Sequence, residues 1–500
     1  MSETTSSKLL LAGLVSVGGM ILMIIGSIAL FGESAEDGPL QVAMMFGLSI
    51  AMLSARSLGF TMEELSAAMS ASINSALGTI FVLLAIGALI GALFVSGTIA
   101  AVIYYGAQIG TPHILYLLVL VIATVLATAI GSSFTTIAAV GLPFVALAPA
   151  MEVSPVVTAA AAVCGAFAGD ALGRISDTFI LTSTLVGADT KAHQKTLMRV
   201  LLPGWVASAV LFTYLGFQHG GSGSFDPAPV NDLIETRFLV SPLAFLPLVI
   251  VLVLSVRTTA FLSIMAGAVS AIILAGFQQS EMISQTLADD SLGRFAQWFK
   301  ISLISLGTGF ELNSGDAMMD KTFSGGGVVS MLTTVWLILV AAAFGAVVDH
   351  SGMLQRLLKS LLNWADRASR VIAASAITSV GLNAATADPY MSIILGTNTY
   401  RQKFMQFRLQ PKIQSVSVAA SGTIASPLIP WNVHGAYAGG TLGVGVLSYA
   451  PYALLLWATP LVLIFLGFIK FNQDVIPGSE SPQDVYGNKP EKLPERRTSV

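Results

Sequence analysis

The chain has 500 residues, of which 54% are hydrophobic and only 10% are charged, and its mean hydropathy is +0.80. Soluble globular proteins carry about 25% charged residues, so this composition predicts a polytopic membrane protein and excludes a soluble enzyme. The formal net charge of −3 is spread over loops and gives no indication of a nucleic-acid partner. The single cysteine, Cys164, excludes an intramolecular disulfide and a cysteine-based metal cluster.

The N-terminal apolar stretch continues to about residue 31, and no small-residue cleavage site follows a short core. We therefore interpret it as a retained first span and not as a cleaved signal peptide. A span needs about 20 apolar residues, and uninterrupted spans are predicted near 8–31, 38–55, 79–103, 200–217, 238–256, 258–277, 328–348 and 450–470. Segments 57–77 and 279–303 mix polar and apolar residues at helical spacing, which is typical of amphipathic helices lying on the membrane surface.

Two segments each have two short apolar arms joined by a centre rich in Gly, Ser, Thr and Asn: 114–150 and 371–400. Non-helical backbone at bilayer depth survives only where it is buried in protein or lines a wet cavity. These segments are therefore predicted to be re-entrant hairpins, with tips at 131–136 and 381–387.

Two other segments have apolar arms around a polar Gly, Pro and Asp centre, and we predict that they are spans broken in the middle: 155–190 and 413–448. The order of hairpin and broken span is the same in both halves of the chain, at an offset of about 250 residues. Interrupted hydrophobic segments at corresponding positions of two halves indicate the binding site of a secondary transporter.

Lysine and arginine are distributed unequally between corresponding loops. The loops 356–370 and 401–412 carry four such residues each, whereas their counterparts 104–113 and 148–156 carry none. The bias is reversed at 188–199, which carries three. Because basic loops face the cytoplasm, the second half is predicted to cross the membrane in the opposite direction to the first.

The predicted fold is an all-α polytopic membrane protein, an inverted-repeat secondary transporter with about ten transmembrane helices, two re-entrant hairpins and both termini cytoplasmic. The first repeat covers 1–217, an external linker 218–237, the inverted second repeat 238–470 and a disordered cytoplasmic tail 471–500.

Charges within a bilayer are costly and indicate function, and the centre of the first broken span carries Asp170, Arg174 and Asp177. A Na⁺ site needs hard oxygen ligands, and Asp177 with the hydroxyls of Ser176 and Thr178 beside unwound backbone supplies them. The tip of the first hairpin adds further hydroxyls: Ser132, Ser133, Thr135 and Thr136. The alternative is that these small polar residues only cap half-helices.

Asp170 and Arg174 each have two interpretations. Asp170 is either a proton-coupled carboxylate or only the charge partner of Arg174, four residues on along a helix. Arg174 either balances Asp170 or Asp177, or holds a substrate carboxylate through its two-bond fork. The second role would make the substrate an organic anion or an amino acid.

In the second half the polar candidates are Asn383, Thr386, Asp388, Asn432 and His434. Two prolines in the segment ASPLIPWN remove backbone donors and either free carbonyls near Asn432 or only kink the helix. His434 is either a titrating proton carrier or a packing residue. Asp349 and His350 lie at the cytoplasmic end of a predicted span.

These motifs resemble the NhaC-type sodium/proton antiporter family of the ion transporter superfamily. The resemblance covers about 80–480 and is carried by GALIGALFVSGT, GSSFTTIAAVG, GAFAGDALGRISDT and SGTIASPLIPWNVHGAYAGGTLGV. It implies a prokaryotic inner-membrane protein that exchanges Na⁺ for H⁺, in a family whose other members exchange carboxylates or move amino acids. The chain departs from the usual family pattern at Gly173-Arg174, at the GSSFTT tip and at His434.

The expected function is therefore Na⁺/H⁺ antiport, and the alternative is Na⁺-coupled transport of an amino acid or small carboxylate. No Walker or Rossmann pattern occurs in a strand-helix context, so an enzyme and ATP-driven transport have no support. We expect no cofactor, with Na⁺ and H⁺ as the transported ions and the lipid bilayer as the surrounding medium. The oligomeric state stays open, with a homodimer as one candidate.

Overall fold

The computed structural model describes residues 3–109, 111–219, 228–287, 291–313, 315, 320 and 322–486. Over these residues the regular structure is helical, with isolated bridges but no named strand. Within this part of the chain nine helices are long and apolar enough to cross a membrane, or ten if a bent pair over Val446–Tyr452 and Leu454–Ile469 is one span. The prediction of an all-α polytopic membrane protein is confirmed.

Nine helices occur in the described residues of the first half, and they include the arms of the first hairpin and of the first broken span. They are α1 Glu3–Phe31, α2 Pro39–Ser57, α3 Met62–Val95, α4 Thr98–Ile109, α5 Leu115–Ile130, α6 Ser133–Ala150, α7 Pro155–Leu172, α8 Asp177–Thr184 and α9 Thr190–His219. Helix α6 contains a π-helical segment at Ile137–Gly141.

The second half follows a similar order of long and interrupted helices. They are α10 Ala228–Glu235, α11 Pro242–Ser255, α12 Ala260–Gln278, α13 Ser280–Leu287, α14 Arg294–Gly307, α15 Leu332–His350, α16 Met353–Trp364, α17 Ala368–Thr386, α18 Pro389–Gln406, α19 Pro411–Val418, α20 Val433–Leu442, α21 Val446–Tyr449, α22 Leu454–Ile469 and α23 Pro482–Val485. The relation of the two halves as inverted repeats stays a prediction.

The predicted surface helix at 57–77 is wrong, because this stretch is the first half of α3. A capping box between Thr61 and Glu64 starts the helix, and Gly78 costs only about 1 kcal/mol relative to alanine, too little to end it. The chain instead breaks at Gly97, whose φ of +74° lies in the left-handed region, within the predicted span 79–103. The segment 279–303 contains α13 and part of α14, and its position on the membrane surface stays a prediction.

Both predicted broken spans are interrupted in the structure. The first stops at Leu172 and starts again at Asp177. The second passes from α19 through a π-helical segment and a 3₁₀ turn at Ser426–Leu428 before α20 begins. Proline has no N–H and clashes with the preceding helical turn, which explains why regular helix is lost around Pro427 and Pro430.

The two predicted hairpins differ in how far the structure bears on them. Helices α17 and α18 pack against each other and are joined at Ala387 and Asp388, so the tip lies at the end of the predicted 381–387 segment. Helices α5 and α6 are joined at Gly131 and Ser132. Helix α6, and α5 together with the 3₁₀ turn before it (Pro112–Ile130), are each long enough to cross a membrane alone. A re-entrant course through the bilayer therefore stays a prediction for both.

Gly165 and Gly169 in α7, and Gly173 just after it, lie at four-residue spacing against α5. A Cβ atom on Gly165 would lie 2.5 Å from the Leu120 carbonyl oxygen, and one on Gly169 would lie 2.3 Å from the Thr124 oxygen. Small residues at this spacing let two helix backbones approach closely in a membrane. This packing fixes the end of α7, where Asp170 lies, beside the end of α5.

The structure describes only part of the predicted linker and part of the predicted C-terminal tail. Residues 220–227 of the predicted linker and residues 487–500 of the predicted tail lie outside the described residues. The expectation of a disordered tail does not hold for residues 474–486, which fold back onto the segment after α18. Lys412 and Asp474 form an ion pair at 2.9 Å, and the buried Tyr486 hydroxyl donates to the Leu409 carbonyl at 2.9 Å.

Candidate functional site

The tip of the first hairpin lies directly against the break of the first broken span. Gly131 has φ +70° and ends α5, and a Cβ atom there would lie 2.5 Å from Ile175 Cγ1 and 2.8 Å from the Ser176 backbone nitrogen. Only glycine allows both this conformation and this approach. The predicted proximity of the two interrupted segments in the first half is thus present in the structure.

Asp170 lies in the last turn of α7 and is buried, with 4% of its surface exposed. Its Oδ1 atom is buried and has no hydrogen-bond partner. The hydroxyls of Ser133 and Ser176 face this carboxyl, and the charge of Asp177 acts on it. A buried charge without a partner is costly, so this carboxyl either carries a proton or, when it is ionised, needs a cation beside it.

Asp177 is the first residue of α8 and is exposed at the break. Its Oδ1 atom accepts a hydrogen bond from the Thr178 backbone N–H at 2.9 Å. Its Oδ2 atom accepts a very short hydrogen bond from the hydroxyl of Tyr390, which belongs to the second half of the chain. Carboxylates near a helix N-terminus interact favourably with the helix dipole, so the first position of α8 suits an acidic side chain.

Two of the hydroxyl residues at the site cap helices, which is the structural role given above as the alternative interpretation. Ser132 caps α6 by accepting from the Thr135 N–H at 3.3 Å, and Ser176 caps α8 by accepting from the Phe179 N–H at 3.4 Å. The Ser176 and Thr178 hydroxyls are 3.0 Å apart. Thr136 donates to the Ser132 carbonyl at 2.9 Å. Each capping bond uses one lone pair of the hydroxyl oxygen and leaves the other, so a cap oxygen can still accept a further ligand.

The predicted pairing of Arg174 with Asp170 or Asp177 is wrong. Arg174 is exposed, and its Nε donates to Gln194 Oε1 at 2.9 Å. No ion pair with either aspartate occurs among the described residues. The expected four-residue spacing required a continuous helix, but α7 ends at Leu172, so Arg174 turns away from Asp170.

The second half forms its own polar cluster at the break between α19 and α20. Asn383 is fully buried, and its Nδ2 donates to the Gly422 carbonyl at 2.6 Å. Asn432 Nδ2 donates to Asn383 Oδ1 at 3.1 Å, while Asn432 Oδ1 accepts from the His434 N–H at 3.0 Å. These amides join the second hairpin to the second break and satisfy freed backbone groups.

His434 is buried in this cluster. Its Nδ1 lies 2.6 Å from the Ser426 hydroxyl, and its ring contacts Phe134 and Phe167 at centroid distances of 5.4 and 4.9 Å. Aromatic surroundings and one hydroxyl partner fit the packing interpretation. No contact in the described residues joins His434 to Asp170 or Asp177.

Thr386 and Asp388 form the turn of the second hairpin. Asp388 caps α18 by accepting from the Tyr390 N–H at 2.8 Å, and Thr386 donates to the Leu382 carbonyl at 2.8 Å. The Tyr390 hydroxyl also lies within range of the charges of Asp170 and Asp388. The turn therefore places the Tyr390 hydroxyl against the carboxylate of Asp177, in the other half of the chain.

The structure brings Asp170, Asp177, Ser133, Ser176 and Thr178 together, and it places Asn383, Asn432 and His434 in a separate cluster. The two clusters are linked by Tyr437, whose hydroxyl donates to the Phe134 carbonyl at 2.7 Å while its ring stacks on Phe134.

Sequence reasoning missed Tyr390 and Gln194. Tyr390 follows the Asp-Pro pair at the second tip, and a polar aromatic residue at an interruption was an available signal. Gln194, which donates to the Leu172 carbonyl at 2.7 Å, lies among ordinary polar residues at the start of α9 and gave no signal.

No group of three or more His, Cys, Asp or Glu side chains that could hold a metal ion occurs in the described part of the chain. The carboxylates and hydroxyls at the first break fit a hard monovalent cation as transported cargo better than a resident transition metal.

Interrupted helices that present carboxylates inside a polytopic helical protein define the class of secondary transporters. The chain belongs to the Na⁺/H⁺ antiporter family, whose sequence model matches residues 1–217 and 196–471.

Three curated relatives cover nearly the whole chain. The chain is 30% identical over 457 residues to the Na(+)/H(+) antiporter NhaC of Alkalihalophilus pseudofirmus, covering 91% of this chain and 95% of that protein. It is 27% identical to the malate-2H(+)/Na(+)-lactate antiporter of Bacillus subtilis, covering 91% of this chain and 94% of that protein. It is 29% identical to the arginine/ornithine antiporter ArcD of Halobacterium salinarum, with coverage of 94% of both chains.

Proposed function

We propose that this protein exchanges Na⁺ for H⁺ across the membrane at the carboxylate pair Asp170 and Asp177. The observation that carries the proposal is the buried Asp170 carboxyl, with one oxygen unpartnered, beside a second carboxylate and two facing hydroxyls. Two carboxylates whose charges act on each other attract a monovalent cation strongly in a partly dry site.

The exchange follows from competition for the same charge. With Na⁺ bound, Asp177 and Asp170 supply anionic oxygens, and Ser133 and Ser176 supply hydroxyl oxygens. When Na⁺ leaves, a proton neutralises Asp170 instead, because this buried carboxyl does not tolerate an unpaired charge. One site that holds either Na⁺ or H⁺, but not both, couples the two fluxes when it is exposed to each side in turn.

Tyr390 ties this competition to the position of the second hairpin. Its hydroxyl donates a hydrogen bond to Asp177 Oδ2. Na⁺ binding displaces or reorients that hydroxyl, so the ion-binding state changes a contact between the two halves. A ligand shifts a conformational equilibrium only through such differential contacts.

Transport of an amino acid or small carboxylate is the alternative. The relatives named for malate and lactate or for arginine and ornithine support it. The position of Arg174 does not, because its guanidinium bonds to Gln194 at the surface of the site. We therefore place ion exchange first.

We further propose a bacterial-type inner membrane location with both termini cytoplasmic. The support is the lysine and arginine bias of loops 356–370 and 401–412. An inverted relation of the two halves, with both hairpins re-entrant, is proposed on the same charge pattern and on the paired helix breaks.

The test uses everted membrane vesicles with a pH-sensitive dye and the full chain. Addition of Na⁺ or Li⁺ is expected to dissipate an imposed acid interior, whereas K⁺, arginine, malate and lactate are not. A response to an organic solute that depends on Na⁺, with none to Na⁺ alone, would establish the alternative.

A further inference from the structure

A cavity with a carboxylate on its wall lies beside the second hairpin tip and includes neither Asp170 nor Asp177. It has a volume of about 290 Å³ and lies among α3, the C-terminal end of α15 and the second hairpin tip. Its polar lining is Ser72, Ser75, Asp349, His350 and Thr386. A Cβ atom on Gly345 would lie 2.6 Å from Thr386 Cα, so α15 and the hairpin tip meet directly at this wall.

The hydroxyls on this wall present only lone pairs to the cavity. Ser72 donates its proton to the Ala342 carbonyl at 3.1 Å, and Ser75 donates to the Ser72 carbonyl at 2.6 Å. Thr386 donates to the Leu382 carbonyl at 2.8 Å. A hydroxyl has one donor proton, so each of these three oxygens is left as an acceptor.

Asp349 adds a negative charge to these acceptors. It is half-buried, and its Oδ1 accepts from the Gln355 amide at 2.6 Å. No lysine or arginine in the described part of the chain forms an ion pair with it. The remaining polar group, the exposed His350 ring, packs edge-on against Phe60 at a centroid distance of 5.6 Å.

We propose that this cavity is a second cation site, which takes a partly hydrated monovalent cation such as Na⁺ or Li⁺ on the carboxylate of Asp349. Acceptor oxygens and one uncompensated carboxylate select cations over anions, and hard oxygen ligands suit alkali cations. Because Thr386 belongs both to this wall and to the tip that carries Tyr390, the site feeds cations towards the second hairpin.

The test measures the charge preference of the cavity directly. Ala346 lines the cavity and is half-buried, and the native Cys164 is buried. In purified Ala346→Cys protein, the cationic methanethiosulfonate reagent is expected to react about tenfold faster than the anionic one, each normalised to its rate with a free thiol. Unsubstituted protein serves as the blank.

Two further variants decide the assignment. Ala346→Cys with Asp349→Asn is expected to lose most of the preference, and Na⁺ or Li⁺ should slow the cationic reagent only while Asp349 is present. Ala346→Cys with Asp366→Asn, an exposed carboxylate paired with Arg370, should keep the preference. Equal normalised rates in the parent variant, as in a lipid-filled or water-filled crevice, or a preference that survives Asp349→Asn, would overturn the proposal.

The choice of cation rests on the proposed function, but the labelling does not require transport. If Na⁺/H⁺ exchange is absent and the charge preference persists, the proposed function fails and the cavity stands. If exchange is present in Asp349→Asn with an unchanged KM for Na⁺ and the labelling shows no preference, only the cavity proposal fails.

Discussion

The hydroxyl of Tyr390, in the second half of the chain, donates a hydrogen bond to the carboxylate of Asp177, in the first half. Tyr390 follows the turn of the second hairpin, and Asp177 begins the helix after the first break. Because this bond joins the two halves, a movement of the second hairpin also changes whether the Asp177 carboxylate is free to bind a cation.

Tyr390→Phe is expected to lower the apparent KM for Na⁺ by about three- to tenfold and to slow turnover. The hydroxyl competes with Na⁺ for Asp177 Oδ2, and a factor of ten corresponds to about 1.4 kcal/mol, close to the lower end of the range for a hydrogen bond to a charged group. Steady-state exchange in vesicles measures both quantities. Tyr452→Phe is the matched control, and a raised KM in Tyr390→Phe would make the hydroxyl a Na⁺ ligand.

Gly131→Ala is expected to abolish most exchange, whereas Gly443→Ala is expected to retain it. Both glycines have positive φ, +70° and +63°, so both substitutions carry backbone strain of about 1–2 kcal/mol. Only at position 131 does the new Cβ collide with Ile175 and Ser176, while nothing lies within 4 Å at position 443. Equal activity of the two variants would show that the contact between tip and break is dispensable.

Arg174→Gln is expected to leave the exchange rate within about twofold of the parent and the pH profile unchanged. The guanidinium is exposed, and an exposed polar contact such as that with Gln194 contributes at most about 1 kcal/mol. Rates measured between pH 6 and 9 give the comparison. A shifted optimum would restore the balancing role for Arg174.

Docking of residues 474–486 is expected to weaken as pH rises above about 10. Burial raises the pKa of Tyr486 above its ordinary value of about 10, so the docked state keeps the proton that the free tyrosine loses. The contribution of Tyr486 to docking is therefore complete at a pH below the ordinary tyrosine pKa, and it is lost as pH rises towards the raised pKa of the docked residue. Protease sensitivity of the tail between pH 8 and 11 reports this, and Tyr486→Phe should reduce the dependence. The hydrogen bond from Arg401 to the Tyr486 carbonyl, at 2.6 Å, stays possible in that variant because its acceptor is a backbone oxygen.

The interruptions were predictable from sequence because glycine, proline and charge within an apolar segment each have a physical consequence. The break after Leu172 and the loss of regular helix near Pro427 follow from such residues. The predicted surface helix at 57–77 failed because polar residues at helical spacing do not show whether a helix continues past them. Glu64 and Thr61 cap its start, and α3 then runs on to Val95.

The site was predictable where the residues are adjacent in sequence and was not predictable where they meet through folding. Asp177, Ser176 and Thr178 share one short segment, whereas Tyr390 reaches Asp177 across 213 positions of the chain. The error at Arg174 came from extending helical geometry across residues 173–176, where the helix has ended.

Exchange by the Asp177 and Asp170 variants in proteoliposomes tests the central claim most directly. Purified protein is reconstituted with a pH dye inside, and Na⁺ uptake and H⁺ release are followed together for Asp177→Asn, Asp170→Asn and the control Asp366→Asn. We predict that both site variants lose at least about 100-fold of both fluxes, equivalent to about 2.7 kcal/mol, while the control exchanges normally. Coupled exchange at the parent rate in folded Asp177→Asn would contradict the account.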